Sequence, residues 1–217
     1  MMSSLLIVYF ALTFWEWVLH SQIMHGDPDT LRGVPVIGPF LAKVAADHIA
    51  HHVDVNIDMS LKGEAHDSGL FFSWQTTIAG ALLMIGTLLL ARVDTHKAIG
   101  MGIAASLLMS VLWNSLHAGM HGSELRVDAS MGVPSMCGLS TGPIYDALWT
   151  YHAVHHSQKG RKFNFNILFP GFDFIAGTYK HGCFDNTVYC AANGHDDRCA
   201  HVQQGCFTND DVRHAPK

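Results

Sequence analysis

The sequence has few charged residues. Asp, Glu, Lys and Arg make up 14% of its 217 residues, whereas a soluble domain typically contains about 25%. Hydrophobic residues make up 49%. The net charge is −5 with the histidines neutral, so the chain lacks the basic excess of a nucleic-acid-binding protein. This composition predicts one membrane domain and no nucleic-acid partner.

The sequence also lacks a C-x-x-C pair, and its five cysteines are an odd number, which disfavours a zinc ribbon. Four of them lie in a polar tail: Cys183, Cys190, Cys199 and Cys206. We predict free thiols there, because a disulfide needs an oxidising compartment and the topology below places the tail in the cytosol. A tail metal site with His181, His195 and His201 is the alternative. The predicted division is a membrane domain over residues 1–180 and a Cys- and His-containing tail over 181–217.

No basic residues precede the first apolar run and no small-residue cleavage site follows it, which disfavours a cleaved signal peptide. The apolar runs are Ser4–Leu19, Leu70–Ala91 and Ile99–Leu116. A helix needs about 20 apolar residues to cross a bilayer, so we predict an all-α integral membrane protein with about three transmembrane helices. The second run meets this length, the third is slightly short, and the first is short and contains Glu16.

The stretch between the second and third runs, Arg92–Lys97, is long enough only for a turn, so these runs should form an antiparallel hairpin. Both long polar stretches, 20–69 and from 117 onward, then face one compartment. Of the basic residues, only Arg92 and Lys97 lie on the opposite side. This asymmetry predicts that the polar stretches are cytosolic. The membrane would be the endoplasmic reticulum in a eukaryote or the inner membrane in a bacterium.

Histidine is abundant, with 16 residues, and ten of them form four clusters. The clusters are His20 and His25; His48, His51 and His52; His117 and His121; and His152, His155 and His156. Residues three and four apart share one face of an α-helix, so each H-x-x-H-H box presents three imidazoles to one side. His20 and His25 are five apart, or about 140° around an α-helix. They converge only if the helix ends or is distorted there, and Gly26 and Pro28 supply the helix-breaking residues.

Ten imidazoles on one side of a membrane predict a metal site. Imidazole binds iron, zinc, copper and nickel, and ten are too many for one ion, so two ions are expected. The chain lacks H-E-x-x-H, whose glutamate serves as the base in many zinc hydrolases, and all-histidine sites at a membrane face match iron that activates dioxygen. The alternatives are a zinc-dependent membrane enzyme, a histidine-rich metal transporter and a bis-histidine haem protein. The apolar runs contain no histidine, which disfavours a transporter.

The order of the four boxes, with a membrane hairpin between the second and third, resembles the fatty acid hydroxylase superfamily of fatty acyl hydroxylases, sterol desaturases and carotenoid hydroxylases. The stretch NFNILFPGFDFIAGT is similar to one that follows the last box in that family. Its matching positions are Asn164, Asp173, Gly177 and Thr178. Glu16 precedes His20 by about a turn, as in the family's first box. The resemblance covers roughly residues 10–180.

The resemblance implies a membrane-bound non-haem diiron oxygenase. Two iron ions, or zinc as a substitute, would be held by the ten clustered histidines, and dioxygen would be used to hydroxylate or desaturate a lipid C–H bond. The lipid would be a fatty acyl, sterol or carotenoid molecule from the bilayer, and a small cytochrome or ferredoxin would deliver electrons near Arg161 and Lys162. Candidates for orienting the ligands through hydrogen bonds are Asp47, Asp54, Asn114, Asp146 and, best placed of these, Asp173.

Overall fold

The computed structural model describes residues 2–55, 59–62, 70–123, 129–130, 132–156 and 162–180. Within these ranges the regular elements are helices, and strand pairing is limited to two isolated bridges. The all-α prediction is therefore confirmed. The predictions for the tail cysteines and for Arg161 lie outside the described residues, and the division at residue 180 stays a prediction.

The described residues form eight α-helical elements, two of which continue directly into π-helical turns. In chain order they are α1 Met2–Val18, π1 Leu19–Met24, α2 Pro28–Arg32, α3 Gly38–Asp54, α4 Trp74–Leu90, α5 Thr95–Leu112, π2 Trp113–His117, α6 Ala118–Met120, α7 Pro143–His156 and α8 Phe172–Ala176.

Two continuous helices, Ser4–Met24 and Thr95–Met120, are long and apolar enough to cross a bilayer. The first exceeds its predicted run because it continues through its π-helical turn, and the second because it begins at Thr95 and continues through π2 into α6. The predicted second run forms a shorter apolar helix, α4, with 17 residues. Its helix starts only at Trp74, because Ser73 is its N-cap and its hydroxyl accepts a hydrogen bond from the Thr76 N–H. The exact number of membrane crossings and the cytosolic side stay predictions.

The predicted hairpin of α4 and α5 is present, and these two helices have the most extensive contact in the fold. Asp94 caps the start of α5 by accepting a hydrogen bond from the Lys97 N–H. Midway along the pair, a Cβ at Gly102 would lie 2.5 Å from the Ile85 side chain. The absence of a side chain there lets the two helices approach closely.

The helix at the first histidine box is distorted as predicted. In π1 the His25 N–H donates to the carbonyl of His20 at 3.1 Å, an i→i+5 bond that defines a π-helical turn. Residues five apart then fall on the same face, so His20 and His25 point the same way. The chain leaves the helix at Gly26, and Asp27 caps α2 by accepting from the Asp29 and Thr30 N–H groups.

A loop after the last histidine box, residues 163–178, folds back along α1. The Tyr9 hydroxyl donates to the Pro170 carbonyl, and the Phe172 N–H donates to the Thr13 hydroxyl. At the other end of the loop, the Phe165 carbonyl contacts His20. The contacts therefore extend from His20 to Tyr9, about 16 Å along the helix axis. We call residues 163–178 the return loop.

Glu16, the one acidic residue of the first apolar run, binds the return loop. Its carboxylate accepts hydrogen bonds from the Leu168 N–H at 2.8 Å and the Phe169 N–H at 3.0 Å. Backbone N–H groups that lie against a membrane-spanning helix have no water to bind, so they need partners from the protein. Glu16 therefore explains how a non-helical segment packs at this depth.

Replacing Glu16 by alanine should destabilise the protein, because it leaves two buried N–H groups without acceptors. Each such group costs about 1–3 kcal/mol, so we expect the free energy of unfolding to fall by about 2–6 kcal/mol. Thermal unfolding in detergent measures this change. Glu16→Gln keeps one carbonyl oxygen and should lose less; equal unfolding temperatures for wild type and the alanine variant would contradict the assigned role.

Candidate metal centre

The structure brings all ten clustered histidines together where α1, α3, α5 and α7 meet. They form two groups of five, and in each group the ligand nitrogens all lie within 4.8 Å of one another. Group one contains His20, His25, His48, His52 and His155, and group two contains His51, His117, His121, His152 and His156. His96, which the sequence analysis left outside the clusters, is exposed in the first turn of α5.

Each H-x-x-H-H box divides its histidines between the two groups. On α3, His48 and His52 join group one and His51 joins group two; on α7 the division is reversed. The reason is angular: residues i and i+4 lie about 40° apart on a helix, whereas i+3 lies about 60° to the other side of i. Each helix thus faces both groups at once, and the rings of His52 and His156 stack at 4.1 Å across the boundary.

The Nε2 atoms inside each group converge. In group one, Nε2 of His48 lies 3.0 Å from Nε2 of His20 and 3.2 Å from Nε2 of both His25 and His52. In group two, Nε2 of His121 and His152 are 3.0 Å apart. Two imidazole nitrogens bound at right angles to one ion, each about 2.1 Å from it, are themselves about 3.0 Å apart. The spacing matches the coordination shell of a metal ion.

Backbone carbonyls set the tautomer of several of these imidazoles. Nδ1 of His20 lies 2.7 Å from the Phe165 carbonyl oxygen, and Nδ1 of His155 lies 2.7 Å from that of Phe163. In group two, Nδ1 of His121 lies 2.8 Å from the Met59 carbonyl oxygen. A nitrogen that donates to a carbonyl carries the proton, so Nε2 of the same neutral ring has a free lone pair.

The donor set fits metal ions better than it fits hydrogen bonding. Nε2 of His51, His117 and His156 is buried without a hydrogen-bond partner. At His48, one Nε2 proton would have to serve three neighbouring imidazoles. Buried polar atoms are normally satisfied, and a cation in each group would accept the converging lone pairs.

Burial keeps these rings neutral, which is the form that binds a metal. Desolvation, with smaller contributions from neighbouring imidazoles, lowers the pKa well below the usual 6.5 for His48, His51, His52, His152, His155 and His156. For His121, burial lowers the pKa to about 4 despite the opposing hydrogen bond to Met59.

The return loop presents the two carbonyls that orient group one. Asn164 lies between Phe163 and Phe165 and has a left-handed backbone with φ of 54°. Its side chain holds this turn by donating to the Tyr151 carbonyl and accepting from the Lys180 N–H. The turn aims the carbonyls on both sides of Asn164 at His20 and His155.

Asp173 supports the same turn from behind. Its buried carboxylate accepts from the Phe165 N–H at 3.1 Å, the Asn166 N–H at 2.7 Å and the Tyr151 hydroxyl at 2.5 Å. The Thr178 hydroxyl also donates to it, and the Thr178 carbonyl accepts from the Asn164 N–H. Three of the motif positions noted in the sequence, Asn164, Asp173 and Thr178, therefore form the hydrogen bonds that hold the return loop in shape.

For Asp173, Asn114 and Asp47, the predicted direct role in orienting the ligands is not supported by these contacts. Asp173 acts one step away, through Phe165; Asn114 donates to the Phe72 and Val133 carbonyls; and Asp47 pairs with Lys43. The direct acceptors are backbone carbonyls, and sequence patterns carry no signal for a carbonyl oxygen. Only the family-like stretch around Asn164 and Asp173 could have pointed to this region.

An apolar cavity of about 140 Å³ leads to group one. It lies between α1, α3, α4 and α5, and its lining includes Leu12, Met84, Met109, Trp113 and His20. Trp113 also contacts group two, since its indole lies 4.3 Å from the ring of His117. The cavity therefore connects the apolar interior of the helical hairpin with the histidines.

Fold and site together define a class of protein: an all-helical chain with helices of membrane-spanning length and two groups of five imidazoles at one end of them. A family model described as fatty acid hydroxylase matches residues 5–178. The chain belongs to this family, so the resemblance stated from the sequence is confirmed, and membership makes the protein an oxidoreductase of a membrane-protein family. No curated protein and no solved structure matches the chain.

The buried neutral histidines should make the metal-free protein sensitive to acid. Their folded-state pKa values lie below the unfolded value of 6.5, so the unfolded chain binds more protons and stability falls as the pH drops below about 6.5. Each such histidine contributes about 1.4 kcal/mol per pH unit within that window. Unfolding of chelator-treated protein in detergent, measured from pH 7.5 to 5, tests this.

Two single-histidine variants, one buried and one exposed, test whether the buried rings cause this dependence of stability on pH. His156→Gln removes one titrating ring and should reduce the slope of stability against pH, whereas His96→Gln, at an exposed position, should leave it unchanged. A flat profile for the wild type would contradict the burial of neutral imidazoles.

Proposed function

We propose that the protein is a membrane-bound non-haem diiron oxygenase that hydroxylates or desaturates a C–H bond of a bilayer lipid. The observation that carries this proposal is the convergence of ten imidazoles into two adjacent groups of five at the end of an apolar cavity. Family membership supports the oxidative reaction class.

The donor set favours iron over zinc. Zinc in proteins is usually four-coordinate, and five imidazoles exceed that number in each group. Iron accepts imidazole ligands and can leave a position for dioxygen beside five of them. When bound, the two ions supply the reduction of dioxygen and the abstraction of hydrogen from an unactivated C–H bond.

The chain's own residues would position the ions and the lipid. The Phe163, Phe165 and Met59 carbonyls fix the rings that accept them as hydrogen-bond partners, so that each Nε2 faces its group. The cavity excludes water because nearly all of its lining is apolar, and His20 is the histidine among its lining residues. A lipid tail in the cavity would therefore bring its C–H bonds to group one.

Electrons would come from a small cytochrome or ferredoxin on the cytosolic side. Lys162, which is exposed immediately before the return loop, precedes Phe163, whose carbonyl orients His155. It is a suitable docking residue for an acidic donor protein, and the donor's identity is part of this proposal.

Expression in a lipid-producing host tests the function. We expect hydroxylated or desaturated lipids to accumulate with the wild type and to be absent with His155→Ala, because a ligand of group one is lost. His96→Ala, an exposed histidine on the opposite side of the hairpin, should keep full product. Protein purified anaerobically should contain about two irons per chain with a Mössbauer signal; zinc with full activity would refute the proposal.

Asp173→Asn should affect the two groups unequally. Its carboxylate supports the carbonyls that orient His20 and His155 in group one, whereas the Met59 carbonyl of group two lies elsewhere in the chain. Iron content should therefore fall from about two per chain towards one. Mass spectrometry of metal per chain measures this, with the exposed Asp29→Asn as control; loss of both irons in parallel would show that Asp173 is a general fold residue.

A further inference from the structure

The cavity lies next to the protein surface where residues of α3 and α4 line it. Of its lining residues only two are exposed, Phe40 at the start of α3 and Ala79 on α4. The Phe40 side chain is 46% exposed although it also lines the cavity. These two residues mark the opening.

The opening lies within the apolar band of α4. Ala79 is five residues past Trp74, or about 7.5 Å along the helix axis. Its neighbours on the same surface, Ile78 and Leu82, are 59% and 66% exposed. Large apolar side chains left uncovered on a helix that packs against α5, a helix of membrane-spanning length, are suited to contact lipid.

The segment on the other side of the opening is apolar as well. Residues 33–42 have no polar side chain, and Val36 at the tip of the loop between α2 and α3 is 98% exposed. Val36 has a left-handed backbone with φ of 69°, which is unfavourable for a β-branched residue. The turn holds this side chain away from the protein, as expected of a loop that inserts into the headgroup and acyl boundary. We call residues 33–40 the portal loop.

We infer that the portal loop is embedded in the membrane interface and that Phe40 and Ala79 form a lateral opening for the acyl chain of a bilayer lipid. Exposed apolar side chains lie on both elements that flank the opening, Val36 and Phe40 on one side and Ile78 and Leu82 on the other, which argues for lipid over a protein partner. The cavity extends from Thr76 to Met84, about 12 Å along α4, and its lining is nearly all apolar, which suits an acyl chain. The fate of the chain inside rests on the proposed function, but its access does not.

Insertion of the portal loop can be measured by fluorescence. In a variant with all five cysteines replaced by serine, Val36→Cys or Thr141→Cys is labelled with an environment-sensitive dye, and the full chain is placed in phosphatidylcholine vesicles. Thr141 is an exposed polar control in the loop before α7. We expect nitroxide-labelled lipid to quench the dye several-fold more at position 36 than at 141, and iodide to show the reverse order. Equal iodide quenching at positions 36 and 141 would overturn the inference. So would a position 36 that neither quencher reaches, because the loop would then be covered by protein.

Lipid access is measured with a phosphatidylcholine that carries a diazirine at the end of one acyl chain. Irradiation should label the peptide that contains Leu83 and Met84. Ala79→Trp narrows the opening and should reduce this labelling several-fold, whereas Ile78→Trp, at the adjacent lipid-facing position outside the cavity, should not. Unchanged labelling in Ala79→Trp, or stronger labelling by a diazirine sterol, would overturn the inference. Neither readout needs metal or turnover, so both remain informative if the oxygenase proposal fails.

Discussion

The desolvation of ten imidazoles in one place is the constraint on which this structure depends. Protonation of a buried imidazole is unfavourable, and so is a buried nitrogen without a hydrogen-bond partner. The protein satisfies one nitrogen on His20, His121 and His155 with a backbone carbonyl and leaves the other nitrogen facing its group. The fold thus gathers lone pairs that only a cation can satisfy together.

Most other features of the fold follow from bringing four distant segments to this point. The π-helical turn at His20 aligns two histidines that an α-helix would separate, and the boxes on α3 and α7 each serve both groups. The return loop supplies oriented carbonyls because Asn164 adopts a left-handed backbone and Asp173 holds the N–H groups behind it. In the return loop, the polar side chains of Asn164 and Asp173 are hydrogen-bonded within the chain.

The sequence predicted that the clustered histidines converge, because histidine spacing reports directly on helical faces. All ten clustered residues meet, and the five-residue interval between His20 and His25 correctly required a distorted helix. It could not predict how the histidines divide, since that depends on where α3 and α7 cross the other helices. The sequence also could not predict the carbonyl acceptors at Met59 and Phe165, because every residue type has the same backbone carbonyl. The role of Glu16 depended on a loop some 150 residues later in the chain.

That long separation has a consequence for biosynthesis. The loop that pairs with Glu16 is made after all ten clustered imidazoles have been synthesised, and its carbonyls orient His20 and His155. A growing chain that has released α7 but not residues 163–178 therefore holds a full complement of ligands with two of them unaligned. The order of synthesis therefore delays the alignment of His20 and His155 until residues 163–178 have been made and have packed beside α1.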